Sequence, residues 1–240
     1  MNSSRGSVLQ QDIWLGNLLR CSAYHVSSRI QELSINSLPP EPSFVDAKVE
    51  VSRLDEIHHL ERLGFRLVDT NLQLSLKQIS CLSRSALKAC RWATTEDEAE
   101  VTEIASKCFT YSRFHLDPHI PNSIANQIKA SWAKNYFKGE RGDWMVVAVV
   151  NGKVVGFLQL LLSNENHLII DLLAVAPTYR GQGLGRAMID YAACNCLPSL
   201  QKIQVGTQIV NTPALNLYRS MGFEFEQAEY ILHLHIGLYK

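Results

Sequence analysis

The chain has 240 residues, 46% of them hydrophobic and 19% charged, and its 23 basic and 23 acidic side chains leave no net charge. That composition is ordinary for a globular protein, with room for one domain or two. Zero net charge excludes a global field that would draw the chain to nucleic acid or to an anionic membrane, so any anionic ligand must be held by local geometry.

No apolar run approaches the ~20 residues that span a bilayer. The longest, Trp144 to Val150, is the length of a strand. Met1 to Ser7 lacks the apolar stretch of a secretory signal behind it, and the six cysteines are scattered, so reduced thiols in a cytoplasm are expected. Cys194-Asn-Cys196 is too tightly spaced for a zinc pair, and no metal is expected.

In chain order, Ile30 to Pro42 is rich in Ser, Asn and Pro and reads as a loop. Phe44 to Val51 alternates as a strand. Ser52 then suits the N-cap of a helix whose apolar stripe (Leu54, Ile57, Leu60, Leu63) stops at Gly64, and Phe65 to Leu76 is another strand. Leu60-Glu-Arg-Leu-Gly-Phe65 is echoed by Leu217-Tyr-Arg-Ser-Met-Gly-Phe223, each with Gly where a left-handed residue ends a helix. Two unrelated junctions would explain the echo. So would a degenerate half-copy of the C-terminal part, with domains at residues 1–86 and 87–240 and a boundary near Ser83 to Lys88.

Leu87 to Ala93 suits a short strand, and Thr95 to Glu98 an N-cap with an acidic first turn. The helix that follows carries Val101, Ile104, Ala105 and Cys108 on one face. Tyr111 to Asn122 is irregular, and Ser123 to Phe137 is helical. Trp144 to Val150 and Val154 to Leu162 form a hairpin around Asn151-Gly152-Lys153, with a type I′ turn. A strand over Leu168 to Val175, a helix over Leu184 to Cys196, a strand over Ile203 to Thr207 and a helix over Pro213 to Met221 follow. Phe223 to Leu238 reads as the last two strands. This alternation implies a mixed α/β sheet. His233 and His235 share a strand face, and His58 and His59 point different ways on a helix into solvent.

Arg180-Gly181-Gln182-Gly183-Leu184-Gly185-Arg186 lies between an apolar strand and an amphipathic helix. Glycines there let backbone N–H groups converge, and the helix N-terminus adds positive potential, which suits a pyrophosphate. Arg180 and Arg186 can add charge-assisted bonds. A tight strand-to-helix turn would use the same glycines. The spacing is neither that of a Walker loop nor that of a dinucleotide fold.

Arg180-x-x-Gly183-x-Gly185 resembles the acetyl-CoA loop of the GCN5-related N-acetyltransferases (GNAT), and Asn211-x-x-Ala214-Leu215-x-x-Tyr218-x-x-x-Gly222-Phe223 resembles their second cofactor motif. On these two motifs, residues 87–240 are identified as a member of that family. The resemblance implies a mixed, mostly antiparallel central sheet flanked by helices, preceded here by a smaller partial α/β domain. It implies acetyl-CoA as acyl donor. Leu173, Ala174 and Val175 would pair with the pantetheine arm, and amides from Arg180 through Arg186 would hold the pyrophosphate. Thr212 would cap the helix with Pro213 behind it, leaving Asn211 to bond cofactor. Tyr218 would protonate the departing thiolate, although it also shares a face with Ala214, Leu215 and Met221 and could be a core aromatic.

Direct transfer needs a neutral amine, so a base or a water chain is required. Tyr111, His115, Asp117 and Asp171 are candidates. Ala47-Lys48-Val49, Leu60 to Thr70 and Phe109-Thr-Tyr-Ser-Arg-Phe-His-Leu-Asp-Pro118 resemble the bacterial TDP-fucosamine acetyltransferases, which acetylate the 4-amino group of a nucleotide-linked amino-deoxysugar. That likeness implies a small-molecule acceptor, a sugar nucleotide for polysaccharide assembly, with Ser112, Arg113 and His115 beside it and Arg113 on its phosphates. Tyr111 and Asp171 join that set. Other amines, a protein N-terminus or a non-catalytic CoA-binding module are the alternatives, and family analogy allows a homodimer through exposed strand edges.

Overall fold

The computed structural model describes residues 7–27, 29–77, 89–164, 166–196 and 200–238. Its strands are β1 Leu9–Gln11, β2 Ser22–Val26, β3 Ser43–Glu50, β4 Arg66–Leu76, β5 Cys90–Trp92, β6 Trp144–Val150, β7 Lys153–Asn164, β8 His167–Val175, β9 Lys202–Gln208 and β10 Glu224–Ile236. They form one sheet in the order β1-β2-β3-β10-β4-β9-β8-β7-β6-β5. The β2–β3 and β8–β9 pairs are parallel and the other pairs antiparallel. The expected mixed, mostly antiparallel sheet flanked by helices is therefore observed.

The helices are α1 Ile13–Leu19, α2 Leu54–Arg62, α3 Glu98–Cys108, α4 Arg113–Leu116, α5 Asn122–Phe137, α6 Leu184–Asn195 and α7 Thr212–Ser220. One core joins α6 to β5–β9 through Leu158, Leu160, Met188 and Ile189. A second lies on the opposite face, where Val101 and Ala105 of α3 and Ala133 of α5 meet Met145, Val147 and Phe157. The period-2 alternation of β6 and β7 supplies both cores, one from each face. The hairpin between them turns at Asn151 (φ 51°) and Gly152 (φ 77°), both left-handed, as a type I′ turn requires.

The two echoed helix ends have matching geometry. Gly64 (φ 97°) and Gly222 (φ 87°) follow α2 and α7. Phe65 and Phe223 donate their N–H groups back to Leu60 and Tyr218 at 3.1 and 3.0 Å, while the glycines donate to Glu61 and Arg219 at 3.0 and 3.1 Å. Both are Schellman ends, and the strands they launch, β4 and β10, pair antiparallel. The expected boundary near residues 83–88 falls outside the described residues. The sheet itself interleaves the two sides, with β4 set between β10 and β9.

Some local expectations are corrected. Residues 224–236 form one strand rather than two: β10 is held on both sides by β3 and β4, and irregularities at Phe225/Gln227 and Ile231/Leu232 absorb its bends. Ser52 does not cap α2; its hydroxyl turns back to Glu50 at 2.8 Å. The turn before α3 starts at Thr94 rather than Thr95, with the Asp97 carboxylate accepting the Thr94 N–H at 2.8 Å. Within the stretch read as irregular, residues 113–116 make the short helix α4. His59 bonds the Leu33 carbonyl at 2.7 Å rather than solvent. β1, β2 and α1 were not revealed by the sequence pattern, and α1 and β2 enclose a small core with Phe44 and Phe114 through Leu15 and Ala23.

Candidate active site

The site begins with a fault in β8. Leu160 pairs with Ile170 and Gln159 with Leu172, so Asp171 is the extra residue of a bulge. The bulge swaps faces: Leu168 and Ile170 pack on the α6 side, whereas beyond it Leu172 and Ala174 join the α3/α5 core. At the same point β8 leaves β9, since their pairing ends at Ile170 and Val205. Residues 172–175 stay with β7, and Gly206 to Gln208 stay with β4. The sheet parts into two halves, and the gap is the floor of a cleft of about 550 Å³.

Leu173, Ala174 and Val175 form one wall. Their free strand edge offers unpaired backbone groups to an extended ligand. Gly181 (φ 76°) and Gly183 (φ 77°) hold the loop in left-handed geometry just before α6. A Cβ on either would meet nothing within 4 Å, so the loop surface is open. A Cβ at Gly185 would lie 3.1 Å from Leu217 Cδ2, so this glycine lets α6 and α7 approach closely. Arg180, Gly181, Gly183, Leu184, Gly185 and Arg186 all line the cleft, and Gln182 does not. The arginine side chains are bound to the protein. Arg180 donates to the carbonyls of Val175 and Cys108 at 3.0 and 3.3 Å, and Arg186 to that of Ser220 at 2.6 Å. The backbone amides therefore carry the anion-binding character of the loop.

Asn211 and Tyr218 line the same cleft. Asn211, not Thr212, caps α7: its Oδ1 accepts from the Ala214 N–H at 3.4 Å and its Nδ2 donates to Thr207 at 3.2 Å. Pro213 falls one residue deeper than expected, because the chain turns into the helix at Asn211. Tyr218 is 3% exposed and packs on Phe223 at 5.2 Å between ring centroids. Burial pushes its phenol well above the usual range, so it stays protonated.

Tyr111, Ser112, Asp171 and Lys129 also line the cleft. Asp171 accepts from Arg141 Nη2 at 2.6 Å, Arg141 Nε at 2.7 Å, Trp132 Nε1 at 2.9 Å and Gln159 Nε2 at 3.1 Å. Four donors fill most of a carboxylate's acceptor capacity, so Asp171 is an anchor for the bulge rather than a base. Lys129, on α5, places its ammonium 4.5 Å from the Trp132 ring centre and 5.1 Å from that of Phe109. Burial lowers its pKa to about 8 against the pull of Asp171. The sequence reading missed Lys129, because nothing local distinguishes it on a helix of mixed polarity.

Arg113 and His115 do not line the cleft. Arg113 is ion-paired with buried Asp46 on β3 and lies 4.6 Å from the Phe114 ring centre. Burial lowers its pKa to about 10, against the pull of Asp12, so it remains charged near pH 7. It is committed to the fold and not to a ligand's phosphates. His115 stands one shell back. Its Nε2 bonds Asn126 Oδ1 at 2.9 Å and its Nδ1 bonds Ser112 Oγ at 2.6 Å. Since an amide oxygen only accepts, Nε2 carries the proton and Nδ1 accepts from the serine hydroxyl. Burial keeps this imidazole below its usual pKa, hence neutral near pH 7.

Asp117 is also no base. Its Oδ2 takes His233 Nδ1 at 2.6 Å and His235 Nε2 at 2.8 Å. These three residues offer ligand atoms within 4.8 Å of one another, but the spacings are hydrogen-bond lengths, shorter than the roughly 3.3 Å between donors around tetrahedral zinc with ~2 Å bonds. The trio ties the loop after α4 to β10, and with Arg113–Asp46 it fixes Tyr111 and Ser112 at the cleft.

With this geometry established, similarity to known proteins is informative. Residues 99–223 match the model of the acetyltransferase (GNAT) family, which covers more than half of the chain. The chain belongs to the GNAT family of acetyl-CoA-dependent N-acetyltransferases. It is 36% identical over 146 residues to the spore coat polysaccharide biosynthesis protein SpsD of Bacillus subtilis, covering 59% of this chain and 48% of that one. It thus spans about half the length of that relative. It is 28% identical over 211 residues to a dTDP-fucosamine acetyltransferase of Escherichia coli O6:H1, covering 87% of this chain and 88% of that enzyme. A solved GCN5-related N-acetyltransferase from Sphaerobacter thermophilus shares the fold at a TM-score of 0.58, with 14% identity over 89% of this chain and 72% of that one. Among the described residues, no helix is long and apolar enough to cross a membrane.

Proposed function

We propose that this protein moves the acetyl group of acetyl-CoA directly to the 4-amino group of a nucleotide-linked amino-deoxysugar. The observation that carries the reading is the single cleft of the parted sheet, where the glycine loop, the free edge of β8 and Tyr218 meet Tyr111, Ser112 and Lys129. The likeness to a dTDP-fucosamine acetyltransferase along 88% of its length supports this acceptor class.

In this reading the amides of residues 180–186 hold the pyrophosphate, and the edge of Leu173 to Val175 binds the pantetheine arm as an added strand. The thioester then lies at the bulge, where the attacking amine and the carbonyl are held together and rate comes mainly from orientation. Tyr218 donates to the sulfur as the C–S bond breaks. The amine's proton passes to the Ser112 hydroxyl as that hydroxyl gives its own proton to Nδ1 of the neutral His115, and the imidazolium so formed, its Nε2–H still held on Asn126 Oδ1, later releases the proton to water. Residues 1–86 serve as a partial copy of the fold, and their β4 closes the β9 side of the cleft.

The test is thiol release from acetyl-CoA across TDP- and UDP-linked amino sugars, with the product mass measured. Turnover should be highest with a nucleotide-linked 4-amino sugar. Turnover only with an unrelated amine would move the acceptor elsewhere, and CoA binding with no turnover on any amine would make this a binding module.

A further inference from the structure

Beside the cleft, the Lys129 ammonium feels the carboxylate of Asp171, and Arg113, Arg141 and Lys48 oppose that pull with positive charge. Arg113 is neutralised by Asp46, and Arg141 by Asp171 at 2.6 Å. Lys129 differs from both. It lines the cleft, and among the described residues it makes neither a hydrogen bond nor an ion pair. What it has instead are the ring faces of Phe109 and Trp132.

Ring faces hold a cation in place, but they return only part of the hydration it has lost. They offer no hydrogen-bond acceptor to an ammonium with three donors. A half-buried ammonium in that setting is incomplete until an anion arrives, and low-dielectric walls with neighbouring positive charge focus the field on it. The glycine loop already provides for the donor's pyrophosphate from its own backbone amides. The anion that Lys129 awaits therefore belongs to the acceptor.

We propose that Lys129 is the specificity-determining cation of the acceptor site, binding a phosphate of the nucleotide-linked sugar and so selecting it over the same amino sugar without its nucleotide. This inference rests on the function proposed above. The lowering of the Lys129 pKa by burial is consistent with it, because an ammonium whose counter-ion comes with the substrate is destabilised while alone.

The test is steady-state kinetics of the full-length wild type and of Lys129→Gln and Lys129→Arg, with a TDP-linked 4-amino sugar and with the same amino sugar lacking the nucleotide diphosphate. Loss of one charge-assisted bond should raise the acceptor KM of Lys129→Gln by about 10- to 100-fold. Lys129→Arg should restore most of it, the acetyl-CoA KM should stay within about twofold, and the preference for the linked over the unlinked sugar should shrink in Lys129→Gln alone. An unchanged acceptor KM in Lys129→Gln would overturn the proposal while leaving the enzyme reading intact. A loss confined to kcat, with a displaced acidic limb of the pH profile and no recovery in Lys129→Arg, would make Lys129 a base and refute it as well. If the wild type turns over no nucleotide-linked sugar, the functional reading fails and the proposal fails with it.

Discussion

Replacing Tyr218 by Phe removes one oxygen from a side chain that is 3% exposed, packed at a tilt against Phe223 and without a hydrogen bond among the described residues. The packing is preserved and no partner is stranded, so stability should change by less than about 1 kcal/mol. The kinetic effect can be worked from the proton balance. A phenol and a thiol differ by ~1.5 pKa units in reference values, and burial widens that gap by raising the phenol. Full proton transfer to the thiolate is therefore uphill, and in the proposed reaction Tyr218 would supply a hydrogen bond to developing charge on sulfur at the transition state. Such a bond is worth about 1.5–3 kcal/mol, which corresponds to about a 10- to 100-fold fall in kcat. Thiol release at saturating acetyl-CoA measures it, with the acetyl-CoA KM near its wild-type value. Full kcat in Tyr218→Phe would refute the role, and a fall accompanied by a lower melting temperature would show that packing had been misjudged.

Gly183→Ala should place an L-residue at φ 77° with no clash, because a Cβ there meets nothing within 4 Å. The strain alone is about 1–2 kcal/mol, visible in thermal melts as a fall of roughly 2–8 °C and in calorimetry as weaker CoA binding; no change in either would contradict the loop geometry. Asp171→Asn should destabilise by about 1–3 kcal/mol in urea unfolding, less than a fully buried pair would lose because Arg141 is 38% exposed. An unchanged midpoint would mean the bulge is anchored otherwise. Acid should weaken the fold through His233. Its pKa is lowered to about 4, with burial the main cause, Arg113 and His235 adding to it and Asp117 opposing. The unfolded chain therefore binds the extra proton first, and stability is lost as pH falls from about 6.5 toward 4, by up to about 1.4 kcal/mol per unit. Asp117, held below the usual carboxylate range, loses its contribution at still lower pH. Chemical denaturation at a series of pH values, with His233→Gln flattening the slope, checks this; a slope unaffected by the substitution would place the titration elsewhere.

The donor side of the cleft could be read from the chain because its determinants are local. Gly181 and Gly183 are needed for backbone angles that other residues resist, Gly185 for a close helix contact, and Tyr218 sits two turns into the helix begun at Asn211, so spacing along the chain fixes spacing in the cleft. The same locality made the β6–β7 hairpin legible from Asn151-Gly152. The cap of α7 was misplaced by one residue, since Asn211 and Thr212 are both good caps and only the turn out of β9 chooses between them.

The acceptor side depended on contacts distant in sequence. Asp171 is an anchor because a bulge turns it toward Trp132 and Arg141, and a bulge is a property of the β7–β8 register rather than of either strand. Arg113 left the site because Asp46, 67 positions earlier by numbering, reaches it across the sheet. Lys129 entered because α5 lies beside the point where β8 and β9 part. The sequence by itself determined the family and the donor cradle, since backbone angles and helix periodicity are written in neighbouring residues. The tertiary structure alone decided which of the charges beside the cleft are spent on the fold, because a charge is neutralised by whatever stands within a few ångströms, wherever in the chain that residue occurs.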